Sequence, residues 1–595
     1  MSTVDDAPTP PPLNPAGDEP SFPPSSGGGG ETPRRAAGRA AAKAARRRRL
    51  LGLIILAVAL TAGVALRVAT IAGKYEFHSD EAWSYITATG HLGAFTVAQT
   101  SHLTGRWVPA ARWQSMWQPD AVFGLRLIAA DLAKYGIPPP LYYWILHFWL
   151  LIVGMHVWSG PVLNLFISAL AGLALFGLAR RLLRQDVDAA LVTLTWSLSR
   201  VVIATSSLAR NYDLLTLLVI LFVWLLVDVS DAQRPLRARA LVGLCLVTTA
   251  AFLTHYQFLL AVAGAVVFTL GNAWLTRSAA RARDRHPWRR PAWTLVAMAA
   301  GLGLTMLILP SMFNSFRAAH GIQYRRSVTF FLGKVDAVVD TVASAFGAGT
   351  TWLDRSLAGV LPPHQMPWLR PSVLLVAAAV AGALAIVAVP RLRRTVHRRL
   401  GPPGANGLPA VFFAVWLGGA IVAQNLAFMS QPLFMSGRYL SMAWPFCAFL
   451  PLLVFRVLGG RRAALLTLAY CVLILLPTAV LLPIRYDSRR TTPFPALSSA
   501  DRVVVNTNGP GALINALWSV RGTALVFAEK PEGLLADSPA WVTPLARGDS
   551  FVYFIIPGAG VPTARCLRRL DTARRLQLMR GSVTLRGAYR VIGPR

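Results

Sequence analysis

Acidic residues and cysteine are both scarce in this chain, and lysine is nearly missing from a large basic total. Only 14% of the 595 residues are charged, with 26 Asp and Glu against 59 Lys and Arg. So low a charged fraction, beside 54% hydrophobic residues and a mean hydropathy of +0.49, excludes an ordinary soluble domain and points to a polytopic membrane protein. There are 4 cysteines. Cys245, Cys447 and Cys471 sit in apolar runs and Cys566 stands alone near the end. With no CxxC pair, neither a disulfide framework nor a zinc ribbon is supported. The one glycine-rich turn between a strand-like and a helix-like run, NTNGPG at 506–511, is neither a Walker motif nor a GxGxxG.

What is abundant is arginine, and the net charge of +33 is nearly all arginine. A charge of that size suggests nucleic acid, but its distribution argues against it: the arginines come in short blocks between apolar runs, as the positive-inside rule places them on a cytoplasmic face. Residues 1–33 are rich in Pro, Ser and Gly and cannot bury a core. A basic block from Arg34 to Arg49 follows, then LLGLIILAVALTAGVAL at 50–66, which reads as a signal anchor with its N-terminus inside.

Spanning hydrocarbon takes about 20 apolar residues. Candidate spans fall near 50–72, 161–180, 188–205, 212–229, 240–254, 257–275, 292–310, 371–390, 408–428, 439–457 and 463–483. A further run, LYYWILHFWLLIVG at 141–154, is short and aromatic, and positive-inside arithmetic lays it along the interface. If it crossed, RRLLR (180–184), RPLRAR (234–239), the 277–290 block, RLRRTVHRR (391–399) and RVLGGRR (456–462) would all face away from the N-terminal arginines. This gives about eleven spans. Loops 73–160 and 311–370, with the turns near Ser206–Tyr212, Thr254–Gln257 and Ser430–Arg438, then share the outer face. Residues 484–595 differ: strand-like runs at 502–506, 523–528, 551–556 and 589–593 alternate with helix-like stretches such as ALINALWSV and ARCLRRLDTARRL. They predict a small α/β domain with a largely parallel sheet.

Ionisable groups at membrane depth are expensive, so those at the outer rim become the candidate site. They are His78, Asp80 and Glu81 in FHSDEAWSYI, Arg210 and Asp213 with Tyr212 between them, His255, and Arg438 followed by Tyr439. Acids, a histidine and arginines around one cavity suit chemistry on a phosphate-bearing substrate. The bland account of the acids is a helix cap at Ser79 or Asp80 with Glu81 at the positive dipole end, which is compatible with catalysis. An outward arginine runs against the positive-inside bias, which favours function for Arg210 and Arg438. His102, His147 and His156 read as structural.

The order of these pieces resembles the GT-C membrane glycosyltransferases, in the branch of the protein mannosyltransferases, aminoarabinose transferases and RgtA/B/C/D-like enzymes. FHSDEAWSY resembles their first-loop DE motif, and IPPPLYYWILHFWLLIVG their HPPLYY-type interfacial helix. LARRLLRQDVDAALVTLTWSLS, SSLARNYDLLTLLVILFVWLL, LTHYQFLL and SGRYLSMAWPFCAFL resemble later elements in the same order, over about 50–480. The chain departs from the pattern at Ile137 and Pro138, where a His often stands, and at Pro161 and Asn164, where an arginine is usual.

The resemblance implies a membrane all-α GT-C bundle, with a cytoplasmic N-terminus at 1–49, a transmembrane catalytic domain at 50–483 and an extracytoplasmic α/β domain at 484–595. It also implies location in the cytoplasmic (inner) membrane and transfer of a sugar from a polyprenyl-phosphate donor, with inversion, to a glycan, lipid or protein acceptor. Asp80 would be the base, and Glu81 would orient the acceptor or help hold a divalent metal. His78, Arg210, Tyr212, His255, Arg438 and Tyr439 would bind the substrate and its phosphate. Membrane lipid is an expected partner and nucleic acid is not. The rival expectation is a transporter or flippase for polyprenyl-linked sugars, which inverted repeats and broken midplane helices would favour.

Overall fold

The computed structural model describes residues 33–74, 77–99, 103–136, 138–231, 233–281, 288–311, 407–428, 437–487, 500–506, 510–529, 550–555, 574–578 and 586–594. Most of these are helical. Two units separate at residue 49; the first contributes only the exposed, arginine-rich start of helix α1 (Pro33–Ala72). In the second unit come α2 (Ser79–Ala88), α3 (Leu92–Val97), α4 (Ala111–Gln114), α5 (Leu125–Tyr135), α6 (Leu141–Val153) and α7 (Ser159–Leu183). Then follow α8 (Asp186–Leu198), α9 (Arg200–Ser206), α10 (Tyr212–Ser230), α11 (Ala238–Phe252), α12 (Leu259–Arg281) and α13 (Arg289–Ile308). The later helices are α14 (Leu408–Phe428), α15 (Trp444–Cys447), α16 (Phe449–Gly459), α17 (Ala463–Asp487) and α18 (Pro510–Leu517).

Each expected span except 371–390, which lies outside the described residues, is helical. Five described helices are long and apolar enough to cross a membrane, or six if α8 and α9, bent by 62°, form one span. That is fewer than the expected number, because α11 and the described apolar parts of α14, α15–α16 and α17 are shorter. Buried hydroxyls in these helices bond back to their own chain: Thr193, Thr205, Thr248 and Thr305 each donate to the carbonyl four residues earlier. This removes the cost of a free hydroxyl in an apolar bundle.

The bundle has two chemically distinct ends. At one, Arg181 of α7 pairs with Asp228 (2.7 Å) and with Asp231 beyond α10, while Arg290 of α13 donates to the Asp231 carbonyl (2.9 Å). Arg180 pairs with Asp186 (2.7 Å), and Arg456 of α16 pairs with Asp188 at the start of α8. The described arginine blocks at 180–184, 234–239, 289–290 and 456–462 thus gather at this end. The opposite end carries the start of α2, the α9–α10 turn and the Thr254–Gln257 turn. Both ends of α6 lie there too: Leu141 N donates to Leu253 O (2.8 Å), and Trp149 Nε1 donates to Ser159 O (2.7 Å) at the start of α7. Helix α6 therefore does not traverse the bundle, which agrees with its reading as a helix laid along one end. His147, on α6, lies between the carbonyls of Ala88 (2.7 Å) and Val122 (3.1 Å), a structural position.

Among the described residues, five strands of the C-terminal part and one from the first long loop form a six-stranded sheet in the order β1-β3-β2-β4-β6-β5, with β1 Trp107–Pro109, β2 Arg502–Asn506, β3 Leu525–Glu529, β4 Ser550–Ile555, β5 Arg574–Leu578 and β6 Arg586–Pro594. Two expectations are corrected. Only β2–β3 and β2–β4 are parallel, and the outer pairings are antiparallel, so the sheet is mixed. Arg574–Leu578 is a strand, although it ends a stretch that reads as helix, because pairing with β6 overrides local propensity. Strand β1 belongs to the first long loop, far from the other five in sequence. It adds antiparallel to β3, Trp107 opposite Phe527 and Pro109 opposite Leu525.

Candidate active site

Helix α2 begins at the DE motif, and its cap is His78 rather than Ser79 or Asp80. His78 Nδ1 accepts from Asp80 N (3.2 Å), and Glu81 Oε2 accepts from His78 N (2.8 Å), a reciprocal capping box with histidine in the usual Ser or Thr place. The Glu81 carboxylate is fully buried. Its other oxygen accepts from Ala209 N (2.8 Å) and from the ammonium of Lys74, which also donates to Ser207 O (2.9 Å). Both Glu81 oxygens are thus committed to joining α2 to the turn before α10.

Asp80 is different: its carboxylate is partly open and pairs with Arg438 Nη1 at 2.6 Å. Arg210 Nη1 donates to the Asp80 carbonyl (3.1 Å) and to Ser84 Oγ (3.3 Å) one turn along α2. Burial would raise the Asp80 carboxyl, but the Arg438 and Arg210 guanidiniums outweigh it and hold the group below the usual carboxylate value. Two guanidiniums lie beside the single Asp80 carboxylate, and Lys74 cancels Glu81. The excess positive charge favours an anionic ligand, and guanidinium forks match phosphate oxygens.

Both arginines are held by their backbones. Asn164 Nδ2 donates to Leu208 O (2.5 Å) and Arg210 O (3.0 Å), so the residue standing near the missing arginine fixes the Arg210 turn. Gly160 N donates to Tyr85 OH (2.7 Å), and a Cβ at Gly160 would fall 2.3 Å from that of Ala209. The Arg438 turn, Gly437–Leu440, is a single 3-10 turn whose Gly437 carbonyl accepts from Trp444 Nε1 (2.8 Å). A Cβ at Gly437 would fall 2.1 Å from Val201, so glycine is required for α9 to approach this closely.

The remaining expected residues lie beside these. Tyr212 is buried, its ring 6.0 Å from Tyr439 and 5.9 Å from His255. Tyr439 lies under the Arg438 guanidinium at 5.3 Å, a cation–π contact. His255 accepts from Gln257 N through Nδ1 (3.1 Å), and burial, with Arg210 nearby, pushes it down to about 4. It is therefore neutral at pH 7, with Nε2–H as a donor, and cannot serve as a cation for phosphate. Asp213 is not on the open rim: it is buried, and the Ser206 hydroxyl lies between its Oδ1 (3.2 Å) and Arg67 Nε (3.1 Å). Among the described residues no three His, Cys, Asp or Glu side chains gather. With its oxygens already taken, Glu81 does not fit as a metal ligand, and His102 lies outside the described residues.

Residue-by-residue reading missed Lys74, Asn164 and Arg67. Lys74 had a signal: in a chain whose cations are almost all arginine, a lysine just past the first span stands out, and a compact ammonium fits where a guanidinium would not.

Residues 138–308 match the model of the family described as dolichyl-phosphate-mannose-protein mannosyltransferase. That stretch, less than half of the chain, is similar to the family and carries four of the motifs that resemble the GT-C glycosyltransferases. No curated protein sequence matches the chain. Two solved structures of ArnT from Cupriavidus metallidurans are similar to it. The one bound to undecaprenyl phosphate is 14% identical with a TM-score of 0.43, and the apo one 15% identical with 0.44. Each comparison covers 91% of this chain and 99% of the other.

Replacing Lys74 with Met leaves Glu81 buried without its cation. Breaking a buried pair from one side costs roughly 3–5 kcal/mol. The expected outcome is a clear fall in the melting temperature of the detergent-solubilised protein, and an unchanged melt would contradict the structural role given to this pair.

Proposed function

We propose that this protein transfers a sugar from a polyprenyl-phosphate carrier to an acceptor hydroxyl at the outer face of the cytoplasmic membrane, with inversion. The observation that carries the reading is the meeting of Asp80, Arg438 and Arg210, supplied by segments hundreds of residues apart. The family match, whose description names a dolichyl-phosphate sugar, supports the choice of a lipid-phosphate donor.

The acceptor oxygen attacks the anomeric carbon while the bond from that carbon to the phosphate oxygen breaks. The hydroxyl proton passes to Asp80, and the polyprenyl phosphate leaves. Arg438 and Arg210 take up the leaving charge. A phosphate oxygen entering between them competes with Asp80 for the Arg438 guanidinium. As that guanidinium turns to the phosphate, the carboxylate loses its stabilising cation and becomes a stronger base. Donor binding and base activation are then one event. Nε2–H of His255 and the Tyr212 and Tyr439 rings line the phosphate side. Glu81 acts by holding α2 in place rather than by touching substrate. No step runs through a metal. The acceptor class remains glycan, lipid or protein, and the sheet would lie on the outer face with the site.

Purified protein given radiolabelled polyprenyl-phosphate sugars and membrane extract tests the reading. Asp80→Asn is expected to lose about 10²–10⁴-fold in transfer while remaining folded. Full activity in that variant removes Asp80 as the base. Arg438→Gln removes the larger of the cations that hold Asp80 ionised, so protonation, and with it the loss of activity, sets in at higher pH. The acid limb of its pH–rate profile should move upward; a limb that stays put contradicts the role given to the ion pair.

A further inference from the structure

The residue before the DE cap is held by an amide that comes from the far end of the chain. Asn515 Oδ1 accepts from Phe77 N (2.8 Å), and Asn515 Nδ2 donates to Phe77 O (2.9 Å). Asn515 lies on α18, between strands β2 and β3, and it is 1% exposed, as is Phe77. A side-chain amide that engages both backbone groups of one residue copies a strand pairing and fixes that residue's position and orientation.

The rest of the dock surrounds this clamp. The Phe77 ring meets Tyr85 edge-on at 5.3 Å and Trp518 at 4.9 Å, and Trp518 stacks on Trp117 at 5.5 Å. Gln114 Nε2 donates to Leu517 O (3.0 Å) and Val520 O (2.9 Å), and β1 completes the sheet beside them. Phe77 and the 107–117 stretch of the same loop are therefore built onto the C-terminal sheet unit.

We propose that Asn515 is a positioning residue for the reaction: by clamping Phe77 it sets where His78 caps α2, and so where Asp80 stands relative to Arg438. The C-terminal sheet is then part of the catalytic centre's support. This rests on the glycosyl-transfer reading given above. The clamp acts on the backbone three residues from the proposed base, and a misplacement of about 1 Å can cost on the order of 100-fold in rate.

The test uses the full chain in detergent, comparing wild type, Asn515→Ala, Asn515→Ser and Gln114→Ala by transfer kinetics and by hydrogen–deuterium exchange over residues 77–88. Asn515→Ser keeps a hydroxyl in place of the amide but is too short to engage both Phe77 groups, so it serves if the alanine variant fails to fold. Gln114→Ala removes two bonds from the same dock and none from Phe77. Loosening the clamp is expected to speed exchange at Phe77, to lower kcat on the order of 10- to 100-fold with KM for the donor little changed, and to move the acid limb upward. The serine variant shows the same changes, and Gln114→Ala stays near wild type. Unchanged exchange and kcat in the folded Asn515 variants overturn the proposal. Faster exchange with unchanged kcat also overturns it, because the clamp then does not reach Asp80. If wild type transfers no sugar from any donor, the glycosyl-transfer reading falls, and with it the catalytic role of Asn515. The exchange arm then still shows whether the clamp exists.

Discussion

One ion pair organises the functional end of this molecule. Asp80 comes from the loop after the first long helix and Arg438 from a turn more than three hundred residues later, and their contact at 2.6 Å is made where water still has partial access. A carboxylate and a guanidinium in such a place can exist only if both backbones are delivered accurately, and most of the surrounding structure can be understood as that delivery. Glu81 and Lys74 tie α2 to the turn before α10, and Asn164 holds that turn. Trp444 and the missing side chain of Gly437 hold the other. The charges then settle the chemistry. Two cations around one ionised acid attract an anion, and the acid becomes more basic when an anion draws a cation away.

The two ends of the bundle show how the chain divides labour. Arginines at one end pair with Asp186, Asp188, Asp228 and Asp231 at the helix junctions. Arginines at the other end face a carboxylate that has room for a substrate. The same residue type is structural where its acids are fully engaged and functional where the charge is left in excess.

Much of this was legible in the sequence, and the reason is physical. Apolar runs of membrane length and arginine blocks of one sidedness force alternation, and alternation brings the loops carrying Asp80, Arg210, His255 and Arg438 to one end without any knowledge of contacts. The placement of 141–154 along one end of the bundle followed from the same parity. What was not legible depends on pairings between distant segments. Strand β1 is three residues long and has no period to detect. The cap fell to His78 because its ring nitrogen reaches Asp80 N, which residue statistics do not favour. Glu81 looked available until Lys74 and Ala209 N filled its oxygens, and Asp213 looked like rim until Arg67 and Ser206 placed it inside. The Asn515 clamp spans 438 residues, and nothing local announces it.

The most direct test of the central contact needs no substrate. A double-mutant cycle with Asp80→Asn, Arg438→Gln and the pair, read as unfolding free energy in denaturing detergent, isolates their coupling. Residues in contact couple by about 0.5–3 kcal/mol, and distant ones add within about 0.5 kcal/mol. The account predicts a favourable coupling of about 1 kcal/mol or more. Additive effects of the two substitutions would show that Asp80 and Arg438 do not meet, and would contradict it.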